Sequence, residues 1–358
     1  YNYSNKYYAD FSVRRDGSSK FGKDARWANF WSVGAMWNLK SEDFLKDIDW
    51  LTNLQLIASI GTSGNSSIPN YDHTALFAAG PQYSGKTGIA PYSRGNENLT
   101  WEKLMTTNIG VKIGLFDRLN LNVEFYNKKT TDMLMEVPVT FGNGFNTKWD
   151  NIGAMINRGV EFDVDADIIR TKDFTWNVSA NASYNHNEIT ELYNGLDEYE
   201  ISTTGLLLKV GHSYGEFHAV RYAGVNPANG DALWYTKDGE LTNRFSNEDR
   251  VLLGKSYVAP WQGGFGTTFS YKGIQLSALF SWVADRWMMN NDRFFDESNG
   301  TYAVYNQSAK LLNRWQKPGD ITEIPRDGVQ TQLDSHLVED ASFMRLKKTN
   351  RSWRSCSY

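Results

Sequence analysis

Nowhere does this chain of 358 residues offer an apolar run of the roughly 18 residues that a spanning helix needs, and its mean hydropathy is −0.53. Membrane residence, if any, must therefore come from strands. A single cysteine, Cys356, excludes a disulfide framework and a cysteine metal cluster. The five histidines, His73, His186, His212, His218 and His336, form no H-x-x-x-H or H-E-x-x-H pair. They fall mainly in expected loops, where a solvated side chain is the plainer reading. No Walker loop, G-x-S-x-G elbow or G-x-G-x-x-G turn is present, so no catalytic residue and no cofactor is assigned. A net charge of −4 gives no electrostatic reason to expect a nucleic-acid partner. The chain opens Tyr1-Asn2-Tyr3, already alternating, without a Met or a leader, and we expect it to have been cut from something longer.

What is present is alternation. In Arg158–Ile168, Val160, Phe162, Val164, Ala166 and Ile168 point one way, while Glu161, Asp163, Asp165 and Asp167 point the other. Strand side chains switch faces at every residue, so this segment is apolar on one side and acidic on the other. The pattern recurs around Phe11, Val33, Leu56, Val111, Val123, Val178, Phe269 and Ala278, which makes about nine strands of barrel length. The connections alternate too. Those at 40–49, 116–118, 170–173 and 272–273 are short or moderate, with Ser41–Leu45 fitting a capped helical turn. Those at 15–26, 62–100, 130–155, 186–260 and 286–342 are long. Aromatics cluster at the strand ends, with Trp50, Phe174, Trp176 and Tyr271 towards the short turns and Trp27, Trp101, Trp261 and Trp287 towards the long loops.

Up-and-down strands with short turns at one end, long loops at the other and two aromatic belts define an antiparallel transmembrane β-barrel with short periplasmic turns and long extracellular loops. The expected fold class is all-β. Nine or ten strands leave two open edges, and unpaired backbone groups in hydrocarbon cost several kcal/mol each, so further strands are expected on both sides. A soluble secreted β-sandwich, binding carbohydrate or acting as an adhesin, is the alternative; it would bury the same apolar faces in a core about 10 Å thick. A glycoside hydrolase is supported only by the number of acids, and no pair of them stands out.

Two groups of side chains are candidate sites. Glu161, Asp163, Asp165 and Asp167 form a column that would face the lumen. A D-x-D-x-D run resembles a calcium loop, but Ile168 stands where the sharp-turn glycine belongs and Phe174 where the bidentate glutamate belongs, so no metal is assigned. The plainer reading is a solvated lumen wall. The loop aromatics Tyr83, Tyr92, Phe141, Phe145, Trp149, Trp234 and Tyr235 could stack on substrate, or could equally pack against their own loops.

Several segments resemble, in family order, the C-terminal part of the barrel of SusC/RagA-type TonB-dependent outer-membrane transporters. They are Ser12–Gly22 (SVRRDGSSKFG), Ala58–Asn65 (ASIGTSGN), Asn151–Glu161 (NIGAMINRGVE), Gly224–Asp231 (GVNPANGD), Tyr271–Gly273 (YKG), Arg314–Thr322 (RWQKPGDIT) and Val338–Lys347 (VEDASFMRLK). The resemblance implies a barrel of about 22 strands with a plugged lumen. It also implies TonB-energised uptake of glycans, oligosaccharides or peptides across the outer membrane of a Gram-negative, Bacteroidota-type cell, with a SusD-like surface lipoprotein as lid. The plug and the segment that meets TonB would lie upstream of Tyr1. Residues 1–347 are thus expected to be partial barrel. Residues 348–358 turn basic and serine-rich and depart from the family pattern, as a frameshift or premature end would.

Overall fold

The computed structural model describes residues 1–353 apart from 140, 141, 143, 146, 202–204 and 303. Its frame is one antiparallel sheet of eleven strands: β1 Asn2–Tyr3, β2 Tyr7–Gly17, β3 Trp27–Asn38, β4 Leu51–Asn65, β5 Glu102–Leu115, β6 Leu119–Thr131, β7 Ala154–Arg170, β8 Phe174–Glu191, β9 Trp261–Tyr271, β10 Ile274–Ala284 and β11 Phe343–Trp353. Each strand pairs with its neighbour in sequence from β1 to β11, with no crossover. This is the expected partial barrel wall. β7 and β8 run for 17 and 18 residues. About 9–11 residues suffice to cross a bilayer, so both ladders continue past the apolar zone into the long-loop end.

Register shows which side chains share a face, because residues directly opposite in an antiparallel pair project together. One row reads Ala58–Ile109–Phe125–Val160–Tyr184–Trp261–Ala284 across β4 to β10. Another, one residue out of phase, reads Lys112–Asn122–Asp163–Asn181–Gly264–Ser281–Arg345 across β5 to β11. From β5 to β10 the sheet is thus apolar on one side and polar on the other. On the apolar side Phe11, Ile109, Phe125 and Met344 remain 60–70% exposed. In a sandwich such residues would be covered by a second layer. The eleven-stranded sheet stands as a sheet of its own, and the smaller sheets are built from the long connections. The sandwich alternative therefore fails, because the apolar face has lipid rather than protein as its partner.

The turns behave as the alternation predicts. Lys272 and Gly273, at φ 44° and 87°, make the two-residue hairpin between β9 and β10. Both central residues of such a turn need positive φ, which glycine adopts without strain. The moderate connection differs in detail. Instead of a helix capped by Ser41, a 3₁₀ turn spans Leu39–Ser41, and the Leu45 and Lys46 N–H groups then donate to the Glu42 carbonyl. Ser41 Oγ is occupied by the Asn38 side chain at 2.8 Å and caps nothing. At the far edge, pairing runs through Lys348 to Trp353, and a register shift beside Leu346 leaves Lys347 without an opposite residue. Where strict alternation breaks in the sequence, a bulge therefore resets its phase.

The buried side chains lie almost wholly outside the membrane-spanning wall. Phe21, Phe30, Ile68, Leu99 and Trp101 form one cluster. Met133, Met135, Val137, Ile152, Ile189, Leu192 and Leu208 form a second, and Val220, Ala232 and Trp234 a third. All belong to the long-loop end. The connection expected at 186–260 carries a four-stranded sheet built from Glu216–Val225, Ala232–Tyr235, Leu241–Thr242 and Arg250–Ser256. A wall one sheet thick has no interior, so burial against protein happens only where loops fold over each other.

Candidate functional site: the lumen wall and the loops above it

The polar face carries the first site. Asn122 Nδ2 donates to Asp163 at 3.3 Å, and Asn177 Nδ2 lies 3.2 Å from Asp167 and 3.4 Å from Asp165. Arg170 reaches Asp167 at 3.7 Å. Glu161 stands opposite Glu124 on one side and Ser183 on the other. The four acids share one face, and side-chain amides from the two neighbouring strands approach Asp163, Asp165 and Asp167. Asp163 and Asp165, together with Lys112, Asn181 and Gly266, line a shallow cleft of about 400 Å³. Among the described residues no group of three His, Cys, Asp or Glu is placed to hold a metal ion.

Above the acids lies an amide network that the sequence did not announce. Tyr126 Oη donates to Asn185 Oδ1 at 2.7 Å, and Asn185 and Asn187 both donate to Asn157 Oδ1, at 3.1 and 2.9 Å. Asn187 Oδ1 then accepts the Tyr214 N–H at 2.7 Å. The wall is thereby tied to the 192–260 connection. Gly159 makes the arrangement sterically feasible: a Cβ there would collide with the Tyr184 carbonyl and lie 2.7 Å from the Tyr126 hydroxyl. Its only sequence signal is one glycine in a strand, which marks a close approach without naming the partner.

The loop aromatics are not gathered into one site. Tyr83 and Tyr92 are 87% and 70% exposed on a hairpin formed by Leu76–Tyr83 and Lys86–Ser93. Phe145 is half-buried, and Phe141 lies outside the described residues. Trp149 packs against the Phe21–Trp101 cluster, and its carbonyl accepts from Asn96 at 3.0 Å. Trp234 is 5% exposed and donates its indole N–H to Asp334 at 2.6 Å. Tyr235 lies under the Arg221 guanidinium, 5.4 Å from the ring centre. Trp101, read from the sequence as a belt residue, is 6% exposed and donates to the Arg26 carbonyl at 3.1 Å. It serves as a loop core because Phe21 packs against it tilted at 5.5 Å and Phe30 edge-on at 5.7 Å. Of the other belt residues, Phe174, Trp176 and Trp287 are half-buried and four are exposed. Trp27, Trp50, Trp261 and Tyr271 are exposed, at 41–57%, at the two ends of the wall. Nor are all the histidines solvated. The His218 pKa is lowered by burial, and His336 Nδ1 contacts the buried Asp334 carboxylate.

At the short-turn end Glu42 collects three donors: Lys6 Nζ at 2.9 Å, Tyr7 Oη at 2.7 Å and Trp37 Nε1 at 3.0 Å. Its pKa falls to about 2, chiefly through the Tyr7 hydroxyl and then Lys6 and Trp37. Because the folded value is depressed below the ordinary 4.5, its stabilising effect is complete above pH 4.5 and is lost as pH falls towards 2. A carboxyl-specific NMR or infrared titration should find Glu42 still ionised at pH 3.5, and a midpoint near 4.5 would contradict this geometry.

A single curved sheet, apolar outside and polar inside, with loops massed at one end, defines the wall of an outer-membrane β-barrel. The description "TonB dependent receptor-like, beta-barrel" matches residues 1–322. The chain belongs to that family, whose barrels lie in the bacterial outer membrane. The TonB-dependent receptor SusC of Bacteroides thetaiotaomicron is 37% identical over 96% of this chain and 36% of its own length. A TonB-dependent receptor of Formosa agariphila is 32% identical over 97% of this chain and 38% of its own. A structure of the RagAB peptide transporter superposes with a TM-score of 0.91 at 37% identity, covering 98% of this chain and 40% of that one. The chain thus spans little more than a third of the length of these relatives.

Proposed function

We propose that this segment is wall and outer-loop structure of a TonB-energised outer-membrane importer that takes up oligosaccharides or peptides beneath a SusD-like lid lipoprotein. The observation that carries the reading is the 0.91 superposition on a structure of the RagAB peptide transporter, at 37% identity. The 37% identity to SusC over 96% of the chain supports it. In this reading the acids Glu161 to Asp167 keep the passage hydrated, and TonB acts through parts of the protein outside this segment. The exposed Tyr83 and Tyr92 are the loop aromatics free to meet substrate or lid. Trp149, Trp234 and Tyr235 act by holding the loops in shape. The role assigned is transport, without a catalytic step.

The test is to purify the full-length transporter from native outer membranes in mild detergent. A surface lipoprotein should co-purify, with bound oligosaccharide or peptide detectable by mass spectrometry. Uptake of that ligand should stop in cells lacking TonB. Uptake that persists without TonB, or a purified protein with neither lipoprotein nor ligand, would overturn the reading.

A further inference from the structure

We propose that the outward face of β5 to β8 carries a binding site for the phosphates of lipid A in the outer leaflet, formed by Lys103, Lys129, Arg158 and His186. The inference takes the apolar face of the sheet as the lipid face, as the barrel reading requires. Three aromatic side chains, Phe125, Tyr184 and Trp261, lie in the outermost unbroken apolar row at this part of the wall. One step further towards the long loops, the same face presents Thr107–Asn127–Arg158–His186. The next step presents Met105–Lys129–Ile156–Glu188, and Lys103 follows opposite Thr131.

Four bases on four adjacent strands therefore begin where the apolar belt ends. Each is diagonal or opposite to the next, a spacing of about 5–8 Å that long side chains bridge. Their line also follows the tilt of the strands. The β5–β6 turn closes at Leu115 and Leu119, level with Ala166 on β7, yet β7 continues to Arg170 before it turns. The level of the membrane thus steps towards the short turns from one strand to the next, as the bases do. Just beyond an aromatic belt, a lipid-facing side chain meets headgroups, and a cluster of bases at that depth complements phosphate.

The existing partners leave the bases available. Arg158 meets Glu188 at 3.5 Å and His186 meets it at 3.2 Å, while Lys103 meets Asp132 at 2.9 Å. These pairs are exposed, with the Arg158 side chain 60% accessible, and exposed pairs of this kind contribute little. Lys129 has no ion pair among the described residues. Its neighbour Lys128 projects to the opposite face, where its ammonium lies 4.6 Å from the centre of the Tyr126 ring.

The experiment measures lipid retained by the detergent-purified full-length transporter, by native mass spectrometry after incubation with lipopolysaccharide, with dephosphorylated lipopolysaccharide, or with phosphatidylglycerol. Lys129→Gln with Arg158→Gln should weaken retention of lipopolysaccharide about 25-fold, about fivefold for each base removed. Lys128→Gln should leave it unchanged, and Lys129→Arg with Arg158→Lys, which keeps both charges, should restore it. Wild-type retention by the double Gln variant overturns the site. So does equal binding of dephosphorylated lipopolysaccharide, or a preference for phosphatidylglycerol. A loss in Lys128→Gln as large as in the double variant would instead overturn the assignment of faces, and with it the barrel reading.

Discussion

Leu121→Arg should destabilise the folded barrel by about 1–2 kcal/mol, the cost of a cation on the lipid face between the midplane and the short-turn interface. Leu121 stands between Ile113 and Val164 in a row that is apolar on both sides. Its neighbour Asn122 faces the lumen, opposite Lys112 and Asp163, with its amide 3.3 Å from the Asp163 carboxylate. Asn122→Arg should therefore change stability little, because the new cation meets water and an acid. Denaturant unfolding of the full-length protein folded into lipid vesicles compares the two variants directly. Similar losses for both would mean that the two faces of β6 are not chemically distinct, and the assignment of lipid and lumen would fail.

Asp334→Ala should loosen the outer loops while sparing the barrel. Asp334 is 1% exposed and accepts from Trp234 Nε1 at 2.6 Å and from the His336 N–H at 2.9 Å. It also touches His336 Nδ1, whose ring lies 5.2 Å from that of Tyr222. Tyr222 in turn has a strongly raised pKa, chiefly from burial and then from Asp334 and Glu323 nearby. Removing the carboxylate leaves the Trp234 N–H buried without an acceptor and uncaps the turn at Ser335–Leu337. Breaking such a buried charged group costs about 3–5 kcal/mol. Hydrogen exchange should then accelerate across 216–256 and 329–340, while the heat-dependent gel mobility of the barrel stays as in the wild type. Unchanged protection of the Trp234 segment would show that the carboxylate does not hold the two loops together.

The two expectations differ in how far they could be read in advance. The face of Leu121 follows from a pattern of two residues, since Asn120, Asn122 and Glu124 alternate with Leu119, Leu121 and Val123. The environment of Trp234 does not, because its acceptor lies 100 positions away. The same distinction separates Trp27, a belt residue by sequence and by structure, from Trp101, which Phe21 and Phe30 draw into a loop core. Histidines show it again: position in a loop suggested solvation, but the loops fold into packed bodies that enclose His218 and engage His336.

By itself, the order of residues determined which side of every long strand is apolar, where the chain reverses, and that the two ends of the wall differ. Those properties follow from period-two geometry and turn chemistry, both local to a few residues. Only the tertiary structure decided the register that lines up Lys112, Asn122, Asp163 and Asn181 along the passage, the interior of the loops, and the arc of bases above the belt. Each of these depends on which residue stands opposite which, and that is settled by pairing between strands that can lie far apart in the chain.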